Sequence, residues 1–397
     1  MSDTTVIRNA HLPKRAGLYQ IVVVDGVVRS LSSVDELTDG NAKATSPSAN
    51  VIDVAGDWVT LGAVDLQING ALGLAFPDLR LGDEERLQAI CKLLWQQGVS
   101  AFCPTLVTTS LDNFEGSLTA IRDFQRQADG GAGAAKIIGA HLEGPFLNEA
   151  KRGAHPSEYL QPLTLERVKR LIGDFVDCIS IVTLAPEIAK ESAEIAAVVT
   201  WLREQNIVMS LGHSLATAKQ ANDVFAQGAT MVTHAFNAMP GLHHREPGLL
   251  GAALVDERVS CGFIADGQHV CKTMLDLLLR TDMGRDESSG LFLVSDALSP
   301  LGLPDGTYPW DSREIEVVAG TARLSDGTLS GTTLPLIQGA QNLVEWGLCE
   351  AEEAISLVTS APRQAIGLPD LELGSPAHLL RWSQPPETRA LTWQWLL

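Results

Sequence analysis

At 397 residues the chain is long enough for one large α/β barrel with a small appendage, or for two ordinary domains. A hydrophobic share of 45% and a charged share of 19% are those of a soluble globular protein, and no apolar run approaches the length that spans a bilayer. A net charge of −19 disfavours nucleic acid and anionic membrane as partners, so an anionic ligand would be held by local cations and backbone N–H groups against the field of the whole chain.

The opening residues, MSDTTVIRNAHLPKR, lack a basic flank followed by an apolar stretch, so no secretion signal is expected and the cytoplasm is the default. Cys91, Cys103, Cys178, Cys261, Cys271 and Cys349 are scattered, with no C-x-x-C. They are expected to be small buried apolar residues in a reducing compartment. Short strands are expected at 4–8, 18–24 and 27–31, with Asp25-Gly26 as a hairpin turn of the kind that needs positive φ, and an exposed loop over 32–50.

From Trp58 onward apolar strands alternate with helical segments, as in a parallel α/β fold. Strands are expected at 59–67, 100–104, 136–142, 179–184, 208–212, 231–233, 260–264 and 291–294, and helices at 83–97, 111–127, 164–172, 191–204, 216–227 and 272–279. Leu87, Ile90, Cys91 and Leu94 illustrate the helical spacing. Eight strands with helical crossovers point to a TIM-like (β/α)8 barrel. Beyond Asp296 the sequence suggests a hairpin of 313–318 with 321–324, helices at 335–345 and 352–359, and strand-like stretches at 376–382 and 391–397 that return to the N-terminal strands. The expected division is a catalytic barrel over 58–366 and a small β domain assembled from 1–57 and 367–397.

The stretch from Ile207 to Gly248 concentrates the chemistry. One apolar run ends on His213 and the next on His234; between them Ser214 can cap a helix that Gly228 stops. A right-handed crossover makes the two strands parallel and brings both imidazoles to one edge of the sheet. They are either a metal-binding pair or two satisfied histidines beside a barrel rim. Strand ends elsewhere are polar: Asp65, Gln67 and Asn69 on the first, Glu143 on the third, Asp266 and His269 on the seventh, Asp296 on the eighth.

Glu143 with His213 and His234 is a set of two imidazoles and a carboxylate that leaves a coordination position open, although Glu143 could instead cap the turn before Pro145. Asp296 could carry a proton to a departing amine, or cap its own turn. The loop from Asn237 to Gly248 offers an amide, backbone N–H groups and Arg245, components of a phosphate site. His269 could add a contact or fix its loop. Lys151 and Arg152 are expected to be solvated, His155 to be near enough to enter the site, and His243 and His244 to be exposed.

Seven runs taken together narrow the reading: His141-Leu142-Glu143-Gly144-Pro145-Phe146, Lys151-Arg152-Gly153-Ala154-His155, Leu211-Gly212-His213-Ser214, Thr233-His234-Ala235-Phe236-Asn237-Ala238-Met239-Pro240, Arg245-Glu246-Pro247-Gly248, Ile264-Ala265-Asp266-Gly267-Gln268-His269-Val270 and Val294-Ser295-Asp296-Ala297. In this order they resemble the N-acetylglucosamine-6-phosphate deacetylase family of the amidohydrolase superfamily.

The resemblance implies a barrel with a small β-sandwich built from both chain ends, a homodimer, and removal of the acetyl group from N-acetylglucosamine 6-phosphate, the alternatives being N-acetylgalactosamine 6-phosphate or another amide as substrate, or a non-catalytic scaffold on the same barrel. It implies Glu143, His213 and His234 as ligands of one divalent metal per subunit, Zn2+ first, with Fe2+, Co2+ or Mn2+ as alternatives. Asp296 takes the role of acid/base, with His155 beside it. Gln67 and Asn69 stand where some members carry a second-metal His-x-His, and neither amide is a good zinc ligand, so the chain is similar to the single-metal branch. Substrate contacts are implied for Gln67, Asn69, Ala154, His155, Asn237, Ala238 and Leu329, and Arg245 and His269 would reach the phosphate across a dimer interface. His378 stands where the family's closing strand carries Asp, which is a departure.

Overall fold

The computed structural model describes residues 3–36, 49–127, 133–282 and 290–397. Most of the expected loop over 32–50 therefore lies outside the described residues. Of its described part, 32 and 33 extend the strand Val27–Ser33 and 34–36 form one helical turn.

Eight parallel strands make the barrel: β1 Ala63–Ile68, β2 Val99–Val107, β3 Ala140–Glu143, β4 Ile179–Leu184, β5 Val208–Leu211, β6 Met231–Val232, β7 Ser260–Phe263 and β8 Leu291–Leu293. Each pairs with the next in sequence order. The ring is drawn together just beyond β8, where the Asp296 N–H donates to the Gln67 carbonyl at 2.9 Å and the Asn69 N–H to the Ala297 carbonyl at 2.7 Å. Successive side chains of β2 alternate between faces. Ala101 and Cys103 join Val64, Leu66, Ile181, Ile264 and Phe292 inside the barrel, while Phe102 points out into the shell under the helices. Leu87, Ile90, Cys91 and Leu94 are buried in that shell, on the face their spacing indicated.

A separate seven-stranded sheet joins the chain ends. Thr4–Leu12, Arg15–Val24 and Val27–Ser33 pair antiparallel, and Leu379–Ser383 pairs antiparallel with Trp58–Leu61 and with Thr392–Trp395. Its own core contains Ile7, Ile21, Val28, Val59 and Leu379. The expected single strand over 59–67 is thus two strands in two sheets, broken at Gly62. The Gly62 N–H turns to the His378 carbonyl at 3.0 Å, whereas the Ala63 N–H turns to Gly98 at 2.9 Å. A Cβ on Gly62 would stand 2.5 Å from Ser100 and 2.6 Å from Trp395, so only glycine lets the chain pass between the sheets here.

Other expectations shift for local reasons. The strand over 136–142 divides into Lys136–Ile137 and β3, because Gly139 adopts φ +121° between them. The helix after His213 is Ala218–Gln227, and its cap is Thr217, whose side chain accepts the Gln220 N–H while Gln220 returns the bond. Ser214 instead donates to Glu187 at 2.6 Å. Gly228, at φ +124°, ends this helix as expected. The hairpin over 313–324 belongs to a four-stranded antiparallel sheet with Gly306–Trp310 and Leu329–Thr332 at its edges. Five cysteines are buried, but Cys271 is exposed at the start of the helix Lys272–Asp282.

Candidate metal centre and active-site cavity

The polar strand ends converge at one end of the barrel. Glu143 is the last residue of β3, and His213 and His234 stand two residues beyond β5 and β6. Asp296 stands three beyond β8. Three of these four bend the chain against its preference: His213 has φ +48°, His234 φ +28° and Asp296 φ +47°. Positive φ is costly for side chains with a Cβ and clusters at functional sites, because only a fixed framework keeps it.

The Oε1 of Glu143 lies 3.1 Å from His213 Nε2 and 2.9 Å from His234 Nε2, and the two imidazole nitrogens are 3.0 Å apart. His213 Nδ1 is 2.9 Å from the Lys151 carbonyl, which can only accept, so the proton of the neutral ring sits on Nδ1 and Nε2 presents a lone pair. Two imidazoles and a carboxylate gathered this tightly suit a divalent metal. Among the described residues His234 Nδ1 has no partner and no exposure, so the ring is held from its Nε2 side alone, by Glu143 and His213. Burial works against a charge on Glu143, yet the two imidazoles hold its carboxyl well below the usual carboxylate range.

Glu143, His155 and His213 also offer donor atoms within 4.8 Å of one another. The partners of His155 argue for a different task. Its Nδ1 accepts the Thr108 N–H at 3.2 Å and lies 2.8 Å from the Thr108 hydroxyl, which leaves the proton of the neutral ring on Nε2. Burial and the neighbouring His213 push its pKa down to about 3, so the ring is neutral near pH 7. It is a hydrogen-bond donor beside the triad.

Asp296 Oδ1 accepts from Asn69 at 2.7 Å and from Gln67 at 3.2 Å. The same Gln67 amide nitrogen donates to Glu143 Oε2 at 3.2 Å, so one side chain spaces the two carboxylates. Burial, then the charge of Glu143, pushes the Asp296 carboxyl up to about 6. Beneath the site runs a directed chain of hydroxyls. His141 Nδ1 donates to the Leu66 carbonyl at 3.0 Å, so Nε2 accepts from Thr183 at 2.7 Å, Thr183 from Thr233 and Thr233 from Ser210, each at 2.6 Å. Burial takes His141 down to about 4, in keeping with a neutral ring.

A cavity of about 550 Å³ opens over these groups. Asn69, Ala154, His155, Asn237, Ala238, His269 and Leu329 all line it, together with Glu143, His213, His234 and Asp296. Gln67 sits buried beside both carboxylates without lining it. Arg245 does not enter the cavity of its own chain; it is exposed beside His244. His243 and His244 are exposed as expected, whereas His269 is locked by Asp266 at 2.7 Å. Lys151 and Arg152 are not simply solvated: Lys151 Nζ donates to the Met239 carbonyl at 3.2 Å and Arg152 to that of His155 at 2.7 Å.

Trp310, Asp311, Tyr159 and Thr108 also line the cavity, and nothing in the local sequence marks them. Trp310 and Asp311 sit on the turn of the four-stranded sheet, whose edge strand contains Pro309 and gives a weak strand signal.

No protein-family model matches the chain. A human protein named N-acetylglucosamine-6-phosphate deacetylase is 34% identical over 324 residues, 80% of this chain and 76% of the relative. An Escherichia coli O157:H7 protein named N-acetylgalactosamine-6-phosphate deacetylase is 32% identical over 358 residues, 90% of this chain and 87% of the relative. The crystal structure of N-acetylglucosamine-6-phosphate deacetylase from Pasteurella multocida superposes with a TM-score of 0.81 at 25% identity, covering 99% of this chain and 100% of that one.

Proposed function

The chain belongs to the N-acetylglucosamine-6-phosphate deacetylase family of hydrolases, and from that premise we propose that it cleaves the acetamide of N-acetylglucosamine 6-phosphate to glucosamine 6-phosphate and acetate. The observation that carries this reading is the buried convergence of Glu143, His213 and His234 on one point, with Asp296 and a proton-bearing His155 facing the same cavity.

Glu143 Oε1, His213 Nε2 and His234 Nε2 would hold one divalent ion, and zinc is the ion this donor set suits first. Fe2+, Co2+ and Mn2+ are the alternatives. Such an ion, when bound, supplies Lewis acidity for the acetyl carbonyl and for an attacking water. Asp296 takes a proton from that water on Oδ2, since Oδ1 is engaged by Asn69 and Gln67. As the C–N bond breaks, the same carboxyl passes the proton to the departing nitrogen, which leaves as an amine. His155 donates from Nε2 to the acetyl oxygen as charge develops there.

Asn69, Ala154, Asn237, Ala238 and Leu329 line the space left for the sugar. Gln67 acts behind them by holding both carboxylates. His269, expected to reach across a dimer interface, lines the cavity of its own chain and would face the phosphate from within, while the outward position of Arg245 suits a homodimer in which each subunit's Arg245 reaches the partner's cavity.

The deciding measurement is acetate release from N-acetylglucosamine 6-phosphate, N-acetylgalactosamine 6-phosphate and unphosphorylated N-acetylglucosamine by protein of counted metal content. Turnover of the first, far above the third, with about one metal per chain is expected. The similarity to a protein named for the galacto sugar makes that substrate the second reading, and faster turnover of it would replace the first. No turnover of any by metal-loaded protein would remove the substrate assignment.

A further inference from the structure

At the opposite end of the barrel, in the seam with the terminal sheet, lies a second cavity of about 590 Å³, as large as the catalytic one. Its walls include Ser100 and Ala101 at the start of β2, Lys136–Ile137 beside it, Leu61 from the terminal sheet, His378 just before the strand Leu379–Ser383, and Arg363. Lys92, Lys136 and Arg363 face it together with His378, and no Asp or Glu lines it among the described residues. In a chain with 48 carboxylates against 29 lysines and arginines, that local excess of positive charge runs against the composition.

The cations are also unspent. Neither Lys92 nor Lys136 forms an ion pair among the described residues. Arg363 uses one nitrogen, Nη2, to hold the Gly62 carbonyl and the Ser100 hydroxyl, both at 3.1 Å. Among the described residues its Nε has no partner, and it is sealed from the cavity as well as from water. Burial pushes the guanidinium pKa down to about 10, with Asp370 as the countercharge it senses. A guanidinium held out of water with no carboxylate bonded to it is costly unless an anion completes it. Leu61, Phe124, Ile137 and Leu368 supply an apolar wall opposite the charges.

We propose that this cavity is a binding site for a small organic anion, a phosphate monoester or carboxylate on a compact apolar body, seated between Arg363, Lys92 and Lys136. A volume of this size is that of a ligand pocket. Because its walls come from both the barrel and the terminal sheet, an occupant would also tie the two together.

The test is calorimetric titration of the metal-loaded full chain with phenyl phosphate, benzoate and inorganic phosphate, with deacetylation followed in parallel. The informative variant is Lys92→Glu with Lys136→Glu, both exposed and remote from the triad; Arg363→Met alone would confound binding with folding. Wild type is expected to bind phenyl phosphate or benzoate at a site that saturating amino-sugar phosphate does not block. The double variant should weaken that binding about tenfold or more, since two attractions become repulsions, and keep its kcat and KM. Tighter binding of phenyl phosphate assigns phosphate monoesters and tighter binding of benzoate assigns carboxylates. Equal affinity of wild type and variant, binding abolished by substrate, or no preference over inorganic phosphate would overturn the proposal.

Discussion

The buried carboxylates of this protein carry different loads because their neighbours differ. Asp296 has its Oδ1 fixed by two amides, and in the proposed reaction its Oδ2 carries the proton, so Asp296→Asn is expected to lower kcat by about 10²–10⁴-fold with metal content unchanged. Activity near wild type at equal metal content would take Asp296 out of the reaction. Asp65 lies one layer deeper, where burial raises its pKa to about 7 although the N–H groups of Gln67 and Ser295 donate to it. In the folded chain it keeps its proton to about 7, whereas in the unfolded chain it loses it near 3.8. The unfolded state therefore gains relative stability as pH rises from about 4 to about 7, and holds that gain above. Asp65→Asn, which preserves the accepting oxygen, should leave stability unchanged at pH 4 and raise it at pH 8, by up to about 4 kcal/mol if the whole shift is realised. Urea melts at the two pH values check this, and an equal effect at both would refute it.

At the scale of elements, two devices position the site. The helix Ala218–Gln227 between the two histidines starts from a reciprocal Thr217–Gln220 cap, so Thr217→Ala should cost about 1 kcal/mol of stability with little change in kcat. The four-stranded sheet that brings Trp310 and Asp311 to the cavity is fastened at its turn by Arg313. That side chain pairs with Asp311 at 2.5 Å and donates to the Ala154 carbonyl at 2.7 Å, next to His155. Arg313→Met frees the turn from the His155 loop. It should raise KM by about tenfold or more, the equivalent of one charge-assisted hydrogen bond, and leave the melting temperature nearly unchanged. A large fall in melting temperature with KM unchanged would make the contact structural only.

For the whole molecule, the question is what joins the terminal sheet to the barrel. Trp395, in the last strand Thr392–Trp395, stacks on Trp95 of the helix Glu84–Gln96 with ring centres 4.0 Å apart and donates to the Trp95 carbonyl at 2.7 Å. Trp395→Ala removes that seam and should destabilise the chain by about 2–4 kcal/mol, read from a lowered denaturant midpoint. Stripping the metal should lower thermal stability together with activity, and adding Zn2+ back should restore both, because an ion bound only by the folded triad stabilises it by mass action. Recovery of stability without activity would separate the metal's structural contribution from its catalytic one.

What the sequence determined by itself follows from local chemistry. Apolar runs alternating with helical spacing specify parallel strands under helices, and polar residues just past the apolar runs at His213, His234, Glu143 and Asp296 specify one reactive barrel end, because a crossover fold puts every strand's C-terminus on the same side. Asn237 and Arg245 read as components of a phosphate site in one loop, and His269 as an added contact from another, but whether Arg245 completes its own cavity depends on where its loop lies. Only the tertiary structure decided that Trp58–Leu61 and Ala63–Ile68 belong to different sheets, since the crowding at Gly62 comes from Ser100 and Trp395, distant in sequence. It alone placed Thr108 against His155 and Gln67 between two carboxylates, and brought Arg363, Lys92 and Lys136 to the wall of one cavity. Such contacts join residues tens to hundreds of positions apart, and a periodicity or motif reports only on neighbours within a few turns.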